Sequence, residues 1–233
     1  MTLTADRWSQ VMATNTGTKL QWGPNSVDRY LLDPKRIGFM FARYKFAAKM
    51  LRDCTGIVDV GCGDGMGTVT FLEDTNAGVH GIDLDPALIK HAQALRRAAS
   101  SARGGLTYER LAFDQYDVLS EAGWDALTMQ GGWDGLCCLD VIEHIDPSQS
   151  SEFVRRLAYL TFNVAVIGTP SDYASQFASP QSQLGHINLY TPDRLREELG
   201  RHFRHTFLFS MNDEIVHTGF DKLAHYLIAL CIK

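Results

Sequence analysis

Hydrophobic residues recur at helical spacing at Ile37, Met40, Phe41, Tyr44, Ala47, Ala48 and Leu51, behind a helix entry at Asp33-Pro34 and ahead of Asp53. The helix they predict would cover a sheet edge or a ligand. Short apolar runs then follow at 56–60, 78–83, 106–113, 134–139 and 162–168, separated by helical stretches around 67–74, 86–100 and 148–160. This alternation predicts an α/β, doubly wound, Rossmann-like fold with a parallel sheet and helices on both faces. Thr191-Pro192 pairs a cap with a first-turn proline, so a helix to about Leu199 is expected, then a strand near 203–210 and a final apolar segment 224–232 that completes the sheet. The segment 114–132 is longer than a typical connection and reads as an inserted helix and turn. Residues 170–190, rich in Ser, Gln and Pro, follow the fifth strand, where a substrate-facing loop or lid belongs; composition allows a disordered surface loop equally.

At 233 residues and 45% hydrophobic, the chain suits one domain over 1–233, with 1–53 as an N-terminal helical cover. The net charge of −5 and the absence of Lys or Arg runs argue against nucleic acid as a partner. Five cysteines without a CxxC pair indicate neither a disulfide framework nor a zinc-thiolate site, which suits a reducing cytoplasm. The start, Met1 to Gln10, is polar, and no apolar run approaches the roughly 18 residues of a spanning helix. A soluble cytoplasmic protein, monomer or homodimer, is expected.

Candidate chemistry gathers at the C-terminal strand ends, where ligands bind in open sheets. The run from Ile57 through Asp59, Gly61, Gly63, Gly65 and Gly67 joins a strand to a glycine-dense turn whose backbone can approach a ligand closely. Met66 and Thr68 occupy the positions at which a dinucleotide-binding GxGxxG needs its third glycine, so the NAD reading fails on spacing. Asp83 ends the second strand about 20 residues later, where a carboxylate can accept ribose hydroxyls, while Asp85 before Pro86 suits a helix cap. Asp114 ends the third run, where an adenine amino group would need an acceptor.

The fourth run leads into Asp140-Val141-Ile142-Glu143-His144-Ile145. If the chain turns helical at Asp140, that residue, Glu143 and His144 share one face. With His186 from the following loop, two oxygens and two nitrogens would suit Mg²⁺, Mn²⁺ or Fe²⁺. Without a metal, Glu143 and His144 orient the rim, His144 acts as general base and His186 hydrogen-bonds. His217 sits in a polar turn within reach of a substrate, although a surface position is the simpler reading; His80, His91, His202, His205 and His225 read as ordinary surface or core residues.

Asp59-x-Gly61-x-Gly63-x-Gly65, Asp83, Asp114 and the stretch from Asp140 to Ile145 together resemble the class I S-adenosylmethionine-dependent methyltransferases over roughly residues 55–210. The resemblance implies a seven-stranded sheet with a reversed terminal strand. It also implies a cofactor held by Asp59, Gly61, Cys62, Gly63, Asp64, Asp83, Leu84, Asp114 and Asp140, with the methionine part at Asp59 and Gly61. Asp140-x-x-Glu143-His144 with His186 looks like the branch containing ubiquinone-pathway O-methyltransferases and small-RNA 2′-O-methyltransferases, which hold a divalent ion with Glu-x-x-Glu-His and a distant His; here aspartate replaces the first glutamate. Asp33-Pro34-Lys35-Arg36 resembles a quinone-pathway segment whose arginine holds the methionine carboxylate, making Arg36 or Arg43 the candidate. The flanks at 43–51 and 210–220 look like methyltransferases of bacterial surface-glycan gene clusters. They imply a sugar-nucleotide, glycan or other small-molecule hydroxyl as acceptor. Competing readings are an N-methyltransferase without metal, a non-catalytic S-adenosylmethionine-binding protein and an NAD-using nucleotide-sugar enzyme.

Overall fold

The computed structural model describes residues 2–15, 17, 19–100 and 107–233, with side chains from Asp6 onward. Its strands are β1 (Gly56–Val60), β2 (Gly78–Asp83), β3 (Leu111–Gln115), β4 (Trp133–Leu139), β5 (Thr161–Pro170), β6 (His205–Asn212), β7 (Ile215–His217) and β8 (Tyr226–Ile232). They form one sheet in the order β3-β2-β1-β4-β5-β8-β6-β7. The first five pair in parallel, and β8 runs antiparallel to both β5 and β6. Eight strands therefore replace the expected seven. The addition is β7, folded back on β6 by a tight turn in which Asp213 adopts φ 51°.

Alternation along the strands builds a core on each side of the sheet. Ile57, Val79 and Cys137 face one side with Ala47, Leu51 and Phe71, whereas Val58, Ile82 and Cys138 face the other with Phe153, Leu157 and Leu195. Strands covered on both faces explain the unbroken apolar runs in the sequence. The helices are α1 (Thr2–Ala13), α2 (Pro24–Leu32), α3 (Lys35–Met50), α4 (Phe71–Asp74), α5 (Pro86–Ser100), α6 (Glu121–Thr128), α7 (Ser150–Leu160), α8 (Pro180–Gly185) and α9 (Pro192–Gly200). As the sequence suggests, Asp85 caps α5 by accepting from Ala87 N at 2.7 Å, and Thr191 caps α9. The third strand starts later than predicted, at Leu111 after a 3₁₀ turn at Tyr108–Arg110, and residue 106 of the expected run lies outside the described residues. The segment 170–190 folds as a 3₁₀ turn (Asp172–Phe177) followed by α8. No helix among the described residues is long and apolar enough to cross a membrane.

Two helices, α1 and α2, replace the polar start predicted from sequence. What stabilises α2 is distant in the chain. Its first turn has Pro24 but no local side-chain cap; instead the buried Asp64 carboxylate accepts from Ser26 N and Ser26 Oγ, each at 2.8 Å. A carboxylate at a helix N-terminus satisfies free N–H groups and complements the helix dipole. Gly23 permits the approach, since a Cβ there would lie 2.3 Å from Asp64 Cβ. Asp64→Ala should therefore cost about 1–2 kcal/mol, the loss typical of a helix cap. Urea unfolding checks this; an unchanged midpoint would show that α2 is held by something else.

Candidate active site

The glycine turn after β1 is tied to the end of β2. Gly61 N and Cys62 N both donate to Ile82 O, at 2.8 and 3.0 Å, and Gly63 N donates to Asp83 Oδ2 at 2.9 Å. Gly61 has φ 79°, and a Cβ on it would lie 2.2 Å from Val141 Cγ2, so conformation and space both demand glycine. Asp83 also accepts from Asp85 N at 3.0 Å, which fixes its carboxylate at the rim. Above this turn opens a cavity of about 370 Å³ bounded by Gly61, Cys62, Gly63, Asp83 and Leu84, by Tyr116 to Leu119, and by Arg29 and Asp140.

Two expected cofactor residues lie off the cavity, and a third lines it with its carboxylate engaged elsewhere. Asp59 is fully buried and does not line the cavity; its Oδ2 accepts from Thr68 Oγ1 at 2.6 Å, and burial pushes its carboxyl up to about 6. It braces the turn from below. Asp64 reaches the cavity wall, but its carboxylate is committed to α2. Asp114 lies inside β3, pairs with His80 Nε2 at 2.9 Å and is absent from the cavity lining. Because β3 continues to Gln115, the rim begins beyond it and is formed by Asp117 and Val118. The predicted strand end is two residues too early, so Asp114 falls short of the cavity rim and Asp117 lies on it. His80, read as ordinary, is the buried partner of Asp114.

The chain does not turn helical at Asp140. That residue takes the left-handed conformation, φ 59°, and its N–H is shared between Gly168 O at 3.0 Å and Tyr226 Oη at 3.1 Å. Its carboxylate is gripped by Arg43 Nη1, 2.8 Å from Oδ1 and 2.9 Å from Oδ2, with Arg29 Nη1 at 3.8 Å. The Arg43 guanidinium lies 3.6 Å from the centre of the Tyr226 ring. Burial alone would raise the Asp140 carboxyl, but Arg43 and Arg29 outweigh it and hold the group below its usual range. Asp140 is therefore removed from the expected ligand set.

The remaining three residues do meet. A 3₁₀ turn at Ile142–His144 follows Asp140, and ligand atoms of Glu143, His144 and His186 all lie within 4.8 Å of one another. Asn188, buried and missed by sequence reading, fastens the two segments: its N–H donates to Glu143 O at 3.0 Å and its Nδ2 to Ile142 O at 3.3 Å. Asn188 Nδ2 also meets Tyr190 Oη, and Arg194 binds its Oδ1. His144 Nδ1 lies 2.8 Å from Gly185 O, which makes Nδ1 the donor and leaves Nε2 as an acceptor. Glu143 is completely buried; Oε2 accepts from Thr169 Oγ1 at 3.1 Å, and Oε1 has no partner among the described residues. Burial and the neighbouring Asp140 charge raise its carboxyl to about 8. Burial and His144 lower the pKa of His186, which favours its neutral form. His217 lies on β7, with Nε2 3.4 Å from Asn212 Nδ2.

Two further clefts continue from the cavity. A middle one of about 350 Å³ shares Arg29, Asp140 and His144 with it and adds Arg36, Arg43, Glu143 and His186. An outer one of about 740 Å³ shares Arg36, Phe39, Ser182 and His186 with the middle one and is walled by 174–179. Arg36 thus stands away from the first cavity, and Arg29, on the unpredicted α2, borders it.

A parallel sheet ending in an inserted antiparallel strand, with a glycine turn over β1 and an acid on β2, defines the class I methyltransferase fold. Residues 58–161 match the family model described as Methyltransferase domain. Among solved structures, the chain resembles the methyltransferase domain of bacterial CtHen1-C (15% identity, 86% of this chain and 98% of that chain, TM-score 0.63). It also resembles magnesium protoporphyrin IX methyltransferase (ChlM) from Synechocystis PCC 6803 with bound SAH (16%, 100% and 95%, 0.57). The N-terminal domain of EvdMO1, solved in the presence of SAH and D-fucose, is a third (11%, 83% and 82%, 0.60). No curated protein matches the sequence. Residues 58–161 thus match a methyltransferase domain, and the chain has the class I methyltransferase fold.

The raised Glu143 carboxyl fixes the sign of a pH effect. Unfolded, this group ionises around its ordinary 4.5; folded, it keeps its proton to about 8. Between those values the folded state binds more protons, so the contribution to stability falls as pH rises. Asp59 acts in the same direction only up to about 6, and the lowered His186 and His202 act in the opposite direction around 6.5, so the Glu143 contribution is the difference between wild type and a variant lacking its charge. Urea titrations at pH 6 and 8 should show wild type losing stability relative to Glu143→Gln over that interval; equal slopes would place Glu143 in its charged form.

Proposed function

We propose that the chain methylates a hydroxyl group of a sugar or a similar small polyhydroxylated acceptor, with Glu143, His144 and His186 at the point of transfer. The observation that carries this reading is the continuity of the three clefts. The cofactor cavity and the outer cleft meet the middle one at His144 and His186 respectively, so a cofactor sulfur on one side and an acceptor oxygen on the other converge on the same cluster. Transfer from a sulfonium is an in-line displacement, and positioning supplies much of its rate.

A hydroxyl additionally has to lose its proton, whereas a neutral amine presents a lone pair from the start. Two imidazoles, one held neutral by burial, supply bases for that step. The outer cleft suits polyols: Ser175, Ser179, Ser182, Gln176 and Gln183 offer neutral hydrogen-bonding groups, and Phe39 and Phe177 offer apolar faces. Asp83, Leu84 and Val118 line the first cavity, which supports Asp83 as the partner of the cofactor ribose and Leu84 and Val118 as the faces for its flat base. Arg29 is the candidate for the methionine carboxylate, since Arg43 is spent on Asp140.

The same cluster fits a divalent ion. Glu143 Oε1 is a buried carboxyl oxygen without a partner, and His144 presents Nε2 because Nδ1 is fixed by a backbone carbonyl, the usual preparation of an imidazole ligand. Two histidines and one carboxylate are a recognised set for Mg²⁺, Mn²⁺ or Fe²⁺ with open positions. Glu143, His144 and His186 would hold the ion, which would lower the pKa of the acceptor hydroxyl. Glu143 would release its proton on binding it.

Two measurements test these assignments. With methyl-labelled cofactor and a panel of sugars, His144→Ala and His186→Ala should each lower transfer by about 100-fold or more, the range of a lost general base, with S-adenosylhomocysteine affinity within about twofold of wild type. Mn²⁺ titrated calorimetrically into the same proteins decides the route: one-site binding lost in both variants supports the ion, and no binding in wild type leaves the imidazoles as bases. Separately, Arg29→Ala should weaken S-adenosylhomocysteine binding about tenfold, the equivalent of one charge-assisted hydrogen bond; unchanged affinity would return the methionine carboxylate to another group.

A further inference from the structure

Arg36 is the cation that the assignments above leave unused. It sits in the first turn of α3, half-buried, on the walls of both the middle and the outer cleft. Its guanidinium has no hydrogen bond or ion pair among the described residues, in contrast to Arg43 on Asp140 and Arg194 on Asn188. No acidic residue stands in the same helical turn. Of the carboxylates lining these clefts, Asp33 accepts from Lys35 N at 3.2 Å and lies 4.0 Å from Lys35 Nζ, and Asp140 belongs to Arg43. Asp213 lines only the outer cleft, and Glu143 Oε2 accepts from Thr169 Oγ1 at 3.1 Å. The middle cleft thus carries three arginines, of which Arg43 and Arg29 face Asp140 and Arg36 faces no carboxylate within ion-pair distance among the described residues.

We propose that the methyl acceptor is anionic, carrying a carboxylate or phosphate that Arg36 binds while a neighbouring hydroxyl of the same molecule faces His186. The assignment deepens the hydroxyl-methylation reading and rests on it for the identity of the reacting group. A guanidinium is suited to this because its planar fork binds either oxyanion through two parallel hydrogen bonds. Arg36 and His186 share both clefts, so a compact acceptor can reach the two at once. Removing water from an unpaired arginine is costly, and a neutral acceptor filling the cleft would bring that cost without a return. The chemistry that fits is a uronic acid or a sugar phosphate in preference to a neutral sugar.

The test is calorimetry on full-length protein saturated with S-adenosylhomocysteine, titrated in turn with glucuronate, glucose 6-phosphate and glucose. At least one of the two anions should bind tenfold or more tighter than glucose, and the tighter of them tells whether carboxylate or phosphate is recognised. Arg36→Gln should abolish the preference and Arg36→Lys should keep part of it, while S-adenosylhomocysteine affinity stays at the wild-type value in both. Three results would overturn the proposal: no anion preferred over glucose, a preference that survives in Arg36→Gln, or a tenfold loss of S-adenosylhomocysteine affinity in that variant, which would assign Arg36 to the cofactor. None of these requires turnover, so failure here leaves the hydroxyl reading to be decided by the histidine variants.

Discussion

The ion pair between Arg43 and Asp140 is the constraint around which the site is arranged. Taking both charges out of water is expensive, and geometry has to repay it. Here two contacts of 2.8 and 2.9 Å join the guanidinium to the carboxylate, and the Tyr226 ring covers the guanidinium at 3.6 Å. Holding the carboxylate there costs a left-handed backbone at a non-glycine residue, roughly 1 kcal/mol, repaid in part by two acceptors for the Asp140 N–H. Three distant parts of the chain, α3, the end of β4 and the start of β8, are thereby locked together beneath the clefts. The pair also sets the charge state of its neighbour, since an ionised Asp140 beside a fully buried Glu143 favours the protonated carboxyl.

Where local residues dictate local structure, the sequence predicts the structure closely. Strand limits at 56–60 and 78–83 and the helix at 86–100 coincide with what forms, because apolar alternation, Gly turns and the Asp85-Pro86 cap are short-range properties. The glycine turn and Asp83 were legible for the same reason. What was not legible depends on contacts across the fold. Helix α2 needs the carboxylate of Asp64, 38 residues away from Ser26. Arg43 and Asp140 find each other over 97 residues, so spacing alone counted Asp140 among potential ligands. Asp114 lost its expected place to a difference of two residues in where β3 ends, and Asn188 carried no motif at all. Its role shows only when 142–144 and 186–190 are seen side by side.

That dependence on long-range contacts extends to the chemistry. Under the proposed hydroxyl methylation, a cationic methyl donor and a proton-bearing acceptor would make opposite demands on one small volume: the sulfonium is favoured by negative charge, whereas the hydroxyl needs a base that is not already protonated. The fold separates the two demands by a few residues. Asp140, kept ionised by Arg43 and Arg29, lines the first cavity, whereas just beyond it Glu143 holds its proton and His186 is biased to the neutral imidazole. On the proposed reading these side chains would accept either a hydroxyl proton or, after Glu143 ionises, a divalent cation, because both add positive charge to the same place. The two proposed routes differ in what removes the proton and agree in where it would be removed, because the same three side chains serve both.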